Sequence, residues 1–315
     1  MLSRVADSVY WMSRYIERAE NVARFVQVNL NLILDNPIEV VEHQWMPLIY
    51  ASGDAKDFEE RYSVASEENV VRFLTFDSKN PNSILSCLSS ARENGRTVRD
   101  TISSEMWEHL NDFYLMVSKE SRKKKIDDLQ SFFANVKNAS HLFVGLSDTT
   151  MSHGEAWHFG RLGRLFERAD KTTRMLDVKY FILLPGTEYV DTPLDEVVWG
   201  ALLKSVSAFE MYRKVFQRIT YKNVASFLLF DETFPRSIMY CIKKTEDSMR
   251  FITKGMTEKP VALAELEKLK IFISDVDIEK VTQGGLHEFV DTFQFNLNVV
   301  GESIYKSFIE AKEIY

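Results

Sequence analysis

Mostly apolar residues recur at steps of four and three along two long segments of the chain. This spacing places them on one face of an α-helix. It predicts helices over about 3–34 and 154–184, each needing partner helices to cover its apolar seam. The second helix is predicted to end in the stretch 182–186, where Pro and Gly stop helices. The two seams consist of Val5, Val9, Met12, Ile16, Ala19, Ala23, Val26 and Leu30, and of Phe159, Leu162, Phe166, Ala169, Thr173, Leu176 and Tyr180.

The two segments belong to an internal repeat. At an offset of 150, Arg14, Glu17, Arg18 and Arg24 align with Arg164, Glu167, Arg168 and Arg174. At an offset of 154, residues 69–88 align with 223–242, and ten of the twenty positions are identical. Because the aligned segments keep their order, we expect an all-α fold, a duplicated helical bundle. Its two related halves, 1–150 and 151–315, are predicted to pack with a pseudo-two-fold relation.

Each half is expected to contain the same series of helices. A helix carrying Trp45 or Trp199 precedes a short helix through the Asn-Val-x-x-Phe segment, and a Phe-Asp…Pro turn then places its Pro near N1 of the next helix. Long helices through 126–147 and about 282–313 close the halves. Another helix is predicted to carry Arg92, Arg96, Arg99, Asp100, Glu105, Trp107, Glu108 and His109 together.

Each opening helix also carries a charged stripe. Residues three and four apart are neighbours on a helix, so the Arg and Glu side chains of one stripe can pair. Both copies keep Arg at these positions, although Lys would be equally suitable on a solvated surface. Arg is the better residue for planar, bidentate contacts. Three interpretations stay open: a solvated ion-pair lattice, an internal network that docks the halves, and a site for an anionic ligand. The last two are compatible with each other.

Composition narrows the choice of partners. The 315 residues include only 12 Gly and 7 Pro, which favours long helices over a sandwich or barrel. A net charge of −7 gives no general attraction to nucleic acid or to anionic membranes. Two cysteines form no disulfide framework, and neither a signal peptide nor an 18-residue apolar run is present. These features predict a cytoplasmic protein.

The sequence offers little support for a metal or a nucleotide cofactor. A di-iron bundle needs two Glu-x-x-His motifs, and Glu155 with His158 forms the only one. No phosphate-binding Gly-rich motif occurs. Cys87 and Cys241 lie in apolar stretches without a nearby His, so we interpret both as buried structural cysteines. We therefore expect neither a metal nor a cofactor.

Four segments together resemble the bacterial alpha-E domain family: ERAEN at 17–21, ARENGRTVRDTISSEMWEHLN at 91–111, GRLGRLFERADKTTRML at 160–176 and FPRSI at 234–238. The resemblance implies an all-helical protein that works beside a circularly permuted ATP-grasp protein, in ATP-dependent amide or peptide ligation. It brings no catalytic assignment. It adds to the charged stripe the motif residues Arg96, Arg99, Asp100, Glu105, Trp107, Tyr212, Arg213 and Arg236.

Three functions follow as hypotheses. The preferred one is an accessory component that binds a partner, a peptide or a small acidic substrate through its Arg/Glu-rich helical face. The second is an enzyme that uses Glu17 or Glu167 on an amide or carboxylate, and the third is a purely structural Glu–Arg clamp. A pocket lined by Arg96, Arg99 and an opening-helix Glu–Arg pair would favour a carboxylate or phosphate. The candidate binding residues are Arg14, Glu17, Arg18, Arg96, Arg99, Asp100, Arg164, Glu167, Arg168, Arg174, Arg213 and Arg236.

Overall fold

The computed structural model describes residues 1–35, 45–123, 126–182 and 193–310, and throughout these ranges the chain is helical with connecting turns. The all-α prediction is confirmed. A short π-helical segment, Tyr305–Ile309, follows the last α-helix. The α-helices are α1 Ser3–Asp35, α2 Met46–Ser52, α3 Ala55–Glu59, α4 Glu67–Thr75, α5 Ile84–Thr97, α6 Ser104–Ser121, α7 Leu129–Thr150, α8 Glu155–Ile182, α9 Pro193–Ser205, α10 Phe209–Val215, α11 Tyr221–Phe230, α12 Ile238–Ile252, α13 Val261–Ser274, α14 Ile278–Gly284 and α15 Leu286–Ile304.

Helices α1 and α8 form the centre of the bundle. They pack against each other, while α1 also packs on α5 and α7, and α8 packs on α12 and α15. Tyr10 lies against Gly163, and Arg18, further along α1, binds Glu167, further along α8. The two helices therefore run side by side in the same direction.

The apolar seams predicted from the sequence form the core. Ala19, Ala23 and Val26 of α1 are fully buried, as are Leu162, Ala169 and Leu176 of α8. Val5 is partly buried. The side chain of Tyr180 is not among those that the structure describes, and the predicted stop at 182–186 lies outside the described residues from 183 onward. Buried apolar residues of both predicted halves join in one continuous cluster, from Ala6 to Ile304. The division at residue 150 stays a prediction.

A glycine allows α1 and α8 to approach closely. A Cβ atom added to Gly163 would overlap the backbone carbonyl oxygen of Tyr10, and one added to Gly160 would lie 3.0 Å from Ser13 Oγ. Since the obstacle at Gly163 is backbone, a side chain there would force the helices apart. This close approach brings the charged stripes of the two helices together.

Serine, and not proline, begins the helix after each Phe-Asp…Pro turn. Ser83 caps α5 and Ser237 caps α12, each by accepting a backbone N–H three residues on. Pro81 and Pro235 precede these caps by two residues, so the prediction of Pro near N1 was wrong. The turn itself is confirmed, because Asp231 Oδ1 accepts hydrogen bonds from the backbone of the two residues before Pro235.

Two predicted helices are broken in the structure. The segment from Arg92 to His109 forms α5 and α6 with a turn between them. Val98 is the C-cap residue of α5, and α6 begins where the Ser103 side chain caps it. Within the described residues, the closing helix predicted over 282–313 forms the end of α14 and α15, separated at Gly285, whose φ is +93°. That left-handed backbone conformation favours glycine. The last residues of this predicted helix, 311–313, lie outside the described part of the chain.

The other expected helices are present with shifted ends. The Asn-Val-x-x-Phe segments lie in α4 and α11, and α7 corresponds to the predicted helix at 126–147. Trp199 lies within α9, but Trp45 is the N-cap residue of α2. Among the described helices, none is long and apolar enough to cross a membrane.

Candidate functional site

Two reciprocal ion pairs join α1 to α8. Arg18 of α1 donates to both carboxylate oxygens of Glu167, from Nε at 2.6 Å and from Nη2 at 2.9 Å. Arg168 of α8 donates in the same way to Glu17, from Nε and Nη2 at 2.7 Å each. This fork geometry is a strong form of charged hydrogen bonding, and the repeat supplies an Arg and a Glu to each side. We call these four residues the Glu–Arg clamp.

Arg14 adds a third guanidinium group to the clamp at Glu167. Its Nε atom donates to Glu167 Oε2 at 2.9 Å, and its Nη1 atom donates to the Tyr10 hydroxyl at 3.2 Å. The guanidinium group also lies over Trp11, 4.7 Å from the ring centroid. Aromatic contact of this kind stabilises a partly desolvated cation.

Arg236 contacts Glu17 as Arg14 contacts Glu167, but it does so from a turn outside α1 and α8. It lies just before α12 and donates from Nη1 to Glu17 Oε1 at 3.1 Å and to Asn21 Oδ1 at 3.0 Å. Its Nη2 atom donates to Glu20 Oε1 at 2.5 Å. The sequence alignment pairs Arg236 with Asn82, whose Oδ1 atom accepts from Arg18 at 2.6 Å. The two aligned positions therefore each contact the clamp, Arg236 through its guanidinium group and Asn82 through its amide oxygen.

The clamp carboxylates are buried. The Glu167 side chain is 0% exposed and that of Glu17 is 1% exposed. The solvated-lattice interpretation is therefore wrong for these residues, and the structure shows an internal ion-pair network. Each stripe also has a pair along its own helix, Arg24 with Glu20 at 2.5 Å and Arg174 with Asp170 at 3.0 Å.

The guanidinium groups keep the clamp carboxylates ionised. Burial alone would raise the pKa of the Glu167 carboxyl, but Arg18 and its neighbours outweigh burial and hold the pKa well below the ordinary 4.5. At Glu17, burial would again raise the pKa of the carboxyl. The charges of Arg168 and Arg236 outweigh burial, and the pKa is lowered. The pKa is lowered in the same way for two adjacent carboxyls, those of Glu20 and Asp170.

The lowered pKa values predict a loss of stability in acid. A carboxyl whose pKa is lower in the folded than in the unfolded chain stabilises the fold above the unfolded pKa and loses this contribution as pH falls. The contribution of these four carboxyls to the free energy of unfolding should therefore be constant from pH 7 to about 5 and fall steeply below that. Urea unfolding followed by circular dichroism at pH 7, 5, 4 and 3 measures it. Glu167→Gln, which lacks one of the four carboxyls, should give a shallower decline, and an unchanged free energy at pH 3 would contradict the assignment.

Arg164 breaks the symmetry of the network. The repeat aligns it with Arg14, but its Nε atom is buried and has no hydrogen-bond partner within the described chain. The carboxylate it would bind by analogy, Glu17, already accepts from Arg168 and Arg236. Burial and the charge of Arg168 lower the pKa of Arg164. Its guanidinium group lies beside a narrow cleft between α1, α7 and α8.

The remaining candidate residues lie apart from the network. Arg96 pairs with Glu93 on its own helix at 2.7 Å, and Arg99 lies over Trp107, 5.0 Å from the ring centroid. Asp100 is exposed in the turn between α5 and α6. Arg213 is exposed beside Phe209. In the described part of the chain, the predicted pocket of Arg96, Arg99 and an opening-helix Glu–Arg pair therefore does not form.

Sequence reasoning missed the part played by Glu20. Its carboxylate accepts from Arg24, Arg236 and Ser140 and contacts His141 Nε2 at 3.1 Å, so it joins α1 to both α7 and α12. The spacing of Glu20 to Arg24, four residues on, was a usable signal. The contacts from α7 and α12 were not visible, because they come from residues more than a hundred positions away.

The two cysteines are buried, and two of the histidines pack against aromatic rings. Cys87 and Cys241 are fully buried, which confirms their interpretation, and burial raises the pKa of each thiol to about 12. His158 is buried against Phe251, while His153 stacks on Trp157. No group of three or more His, Cys, Asp or Glu in the described ranges is arranged to hold a metal ion.

Comparison with known proteins identifies relatives without a described activity. The sequence profile of the Alpha-E family, a predicted alpha-helical domain with a conserved ER motif, matches residues 1–309. The Glu-Arg dipeptides at 17–18 and 167–168 fit that description. Uncharacterized proteins of Mycobacterium bovis and of Mycobacterium tuberculosis strain CDC 1551 are each 22% identical over 266 residues. Each match covers 78% of this chain and 29% of the relative, so the chain spans less than a third of those proteins. No solved structure matches significantly.

Proposed function

Because the chain belongs to the Alpha-E domain family, we propose that it is an accessory, binding component of an ATP-grasp-dependent peptide or amide ligation system. The observation that carries the proposal is that the Glu-Arg motif is used internally, in the clamp between α1 and α8. The motif then serves to fix a rigid helical scaffold. A circularly permuted ATP-grasp protein is the proposed partner, through the family resemblance.

The state of the candidate catalytic groups favours binding over catalysis. A general base works best when its pKa lies near the operating pH, and the pKa values of Glu17 and Glu167 are held below the ordinary value. Each of these carboxylates already accepts several charged hydrogen bonds. The two thiols, with pKa values of about 12, are almost entirely protonated at neutral pH.

We also propose that the fold arose by duplication of one helical unit. The reciprocal bonds of the Glu–Arg clamp relate residues 17–18 to 167–168 as a two-fold axis would. The approach of Tyr10 to Gly163 and of Ser13 to Gly160 follows the same relation at an offset of 150. These contacts support two related halves, 1–150 and 151–315, with α1 and α8 packed at their common axis.

The exposed members of the Arg set are the proposed contacts to the partner. Arg96, Arg99 and Arg213 are exposed, and Arg is frequent in protein interfaces because its planar group binds carboxylates and stacks on aromatic rings. The relatives support a module of this kind, since the matching segment forms less than a third of a longer chain there. A domain that is joined to others in one protein can act as a separate partner in another.

Co-elution with a circularly permuted ATP-grasp protein of the same organism tests the proposal. The two purified proteins should elute together in size-exclusion chromatography at about 0.15 M salt, where long-range charge attraction is screened. Arg99→Glu should weaken the complex at least about tenfold by titration calorimetry, in line with charged contacts at interfaces. The matched control is Arg218→Glu, an exposed Arg outside the motif, which should bind as the unaltered chain does. Separate elution at both low and moderate salt, with ATP and Mg²⁺ present, would rule the proposal out.

A further inference from the structure

A narrow cleft opens between α1, α7 and α8, and Glu17 is part of its wall. Its wall includes side chains from all three helices, and several of them are polar or charged. The ones that matter for its chemistry are Ser13, Ser147, Asp148, Trp157, Arg161 and Arg164. The free space within the cleft is about 10 Å³, which is room for about one water molecule or one oxygen atom of a ligand.

Arg164 brings an unpaired guanidinium group to this cleft. Its aligned counterpart Arg14 is bound to Glu167, but Arg236 has taken the equivalent position at Glu17. The buried Nε atom of Arg164 therefore has no acceptor among the described residues. A buried donor without a partner is costly, so a buried polar group of this kind normally has an acceptor from solvent or from a ligand.

Arg161 is the second cation of the cleft. Its guanidinium group lies over the Trp157 ring, 5.3 Å from the centroid, and no carboxylate of the described chain lies within ion-pair distance of it. The Trp157 indole in turn donates to Asp148 Oδ1 at 3.1 Å. The ring is thereby fixed in place, and it holds Arg161 one turn before Arg164 on the same side of α8.

The local charge balance favours an anion. The charged groups that act on Arg164 are Arg161, Arg168, Glu17 and Asp148. Of the two carboxylates, Glu17 is already neutralised by forked bonds from Arg168 and a further bond from Arg236. Among the described carboxylates that act on Arg164, this leaves Asp148 to oppose the charges of Arg161 and Arg164, so the cleft has an excess of positive charge.

We propose that this cleft binds the oxyanion group of a ligand, a carboxylate or phosphate, between Arg161 and Arg164. Guanidinium groups bind both anions in a planar, forked geometry. The hydroxyl groups of Ser13 and Ser147 line the same space and can donate to the oxygen atom that enters it. This inference deepens the proposed function and rests on it, because an acidic ligand end is what a binding component of a ligation system would hold.

Calorimetric titration of the full chain with two probes tests the inference. The probes are inorganic phosphate and a capped Glu-Glu dipeptide, with the capped Gln-Gln dipeptide as the neutral control. We expect saturable 1:1 binding of at least one acidic probe and none of the neutral one. Binding of the dipeptide alone identifies a carboxylate ligand, and binding of phosphate alone identifies a phosphoryl group. The absence of saturable binding by either probe at millimolar concentration would overturn the inference.

Variants locate the binding in the cleft. Arg164→Gln should weaken binding at least tenfold, and Arg161→Gln, at the more accessible position, serves if the first variant fails to fold. Arg218→Gln is the matched control outside the cleft and should bind as the unaltered chain does. The bound probe should also raise Tm in the unaltered chain and leave that of Arg164→Gln unchanged. Equal binding by all three variants would remove the cleft as the site.

The two proposals can fail separately. If the chain elutes with the ATP-grasp protein but binds neither acidic probe, only the cleft inference is overturned. If the acidic probe binds and Arg164→Gln abolishes binding, but no complex forms, only the proposed partner is overturned.

Discussion

Glu167→Gln is expected to lower the free energy of unfolding by about 3–5 kcal/mol, the range for removing one partner of a buried ion pair. The substitution keeps the shape of the side chain and removes its charge. Arg14 and Arg18 would then lose the one carboxylate among the described residues that pairs with them, in a place where the Glu167 side chain has no exposure to water. An uncompensated buried cation is more costly than the loss of the ion pair itself.

Urea unfolding at pH 7 measures this effect, and Glu93→Gln is the matched control. Glu93 pairs with Arg96 on α5, but the two side chains are 52% and 66% exposed. Exposed pairs contribute about 0–1 kcal/mol, so this control should unfold almost as the unaltered chain does. Equal losses of stability in the two variants would show that burial of the Glu–Arg clamp carries no special weight.

Gly163→Ala is expected to destabilise the fold by about 1–3 kcal/mol or more, the cost of overpacking a tight interface. The added Cβ would overlap the Tyr10 carbonyl oxygen, and backbone cannot rotate away as a flexible side chain can. The helices α1 and α8 would have to separate, which also lengthens the bonds from Arg18 to Glu167. The two effects should therefore be coupled.

Gly145→Ala provides the control for helix propensity. Gly145 lies within α7, and a Cβ added there meets no atom within 4 Å. Alanine is a better helix former than glycine by about 1 kcal/mol, so this variant should be slightly more stable than the unaltered chain. Thermal unfolding of both variants separates steric overlap from propensity. A Gly163→Ala protein as stable as Gly145→Ala would mean that α1 and α8 do not touch at this point.

A double variant tests the coupling between the clamp and the close approach. Gly163 and Glu167 lie one turn apart on α8, and both act on the distance between α1 and α8. Once the carboxylate is gone, moving the helices apart costs less. The combined loss of stability should therefore be smaller than the sum of the single losses.

The sequence predicted best those features that depend on neighbouring residues in the chain. The seam from Val9 to Leu30 was predicted as buried because its period alone indicates a helix with one covered face. The thiols Cys87 and Cys241 were predicted as buried from their apolar neighbours. The break between α5 and α6 was missed, because the cap formed by Ser103 was hidden among residues with helical spacing.

The candidate site was predicted in part. The sequence indicated that Arg18 and Arg168 belong together with Glu17 and Glu167, and it left open whether water, the other helix or a ligand faces them. Arg96, which the sequence grouped with this set, lies apart from it, because α5 presents that side chain to solvent. Periodicity gives the direction of a side chain around its own helix, but it does not give the distance to another element.

The sequence by itself determined the helices, their apolar faces and the repetition of the Arg and Glu positions, because these depend on residues within a few turns of each other. Only the tertiary structure decided what each charge binds. Arg14 and Arg164 have matching local patterns, yet Arg14 is bound to a carboxylate and Arg164 is not. The difference comes from Arg236, which the packing of α12 on α8 brings to Glu17 from 219 residues away.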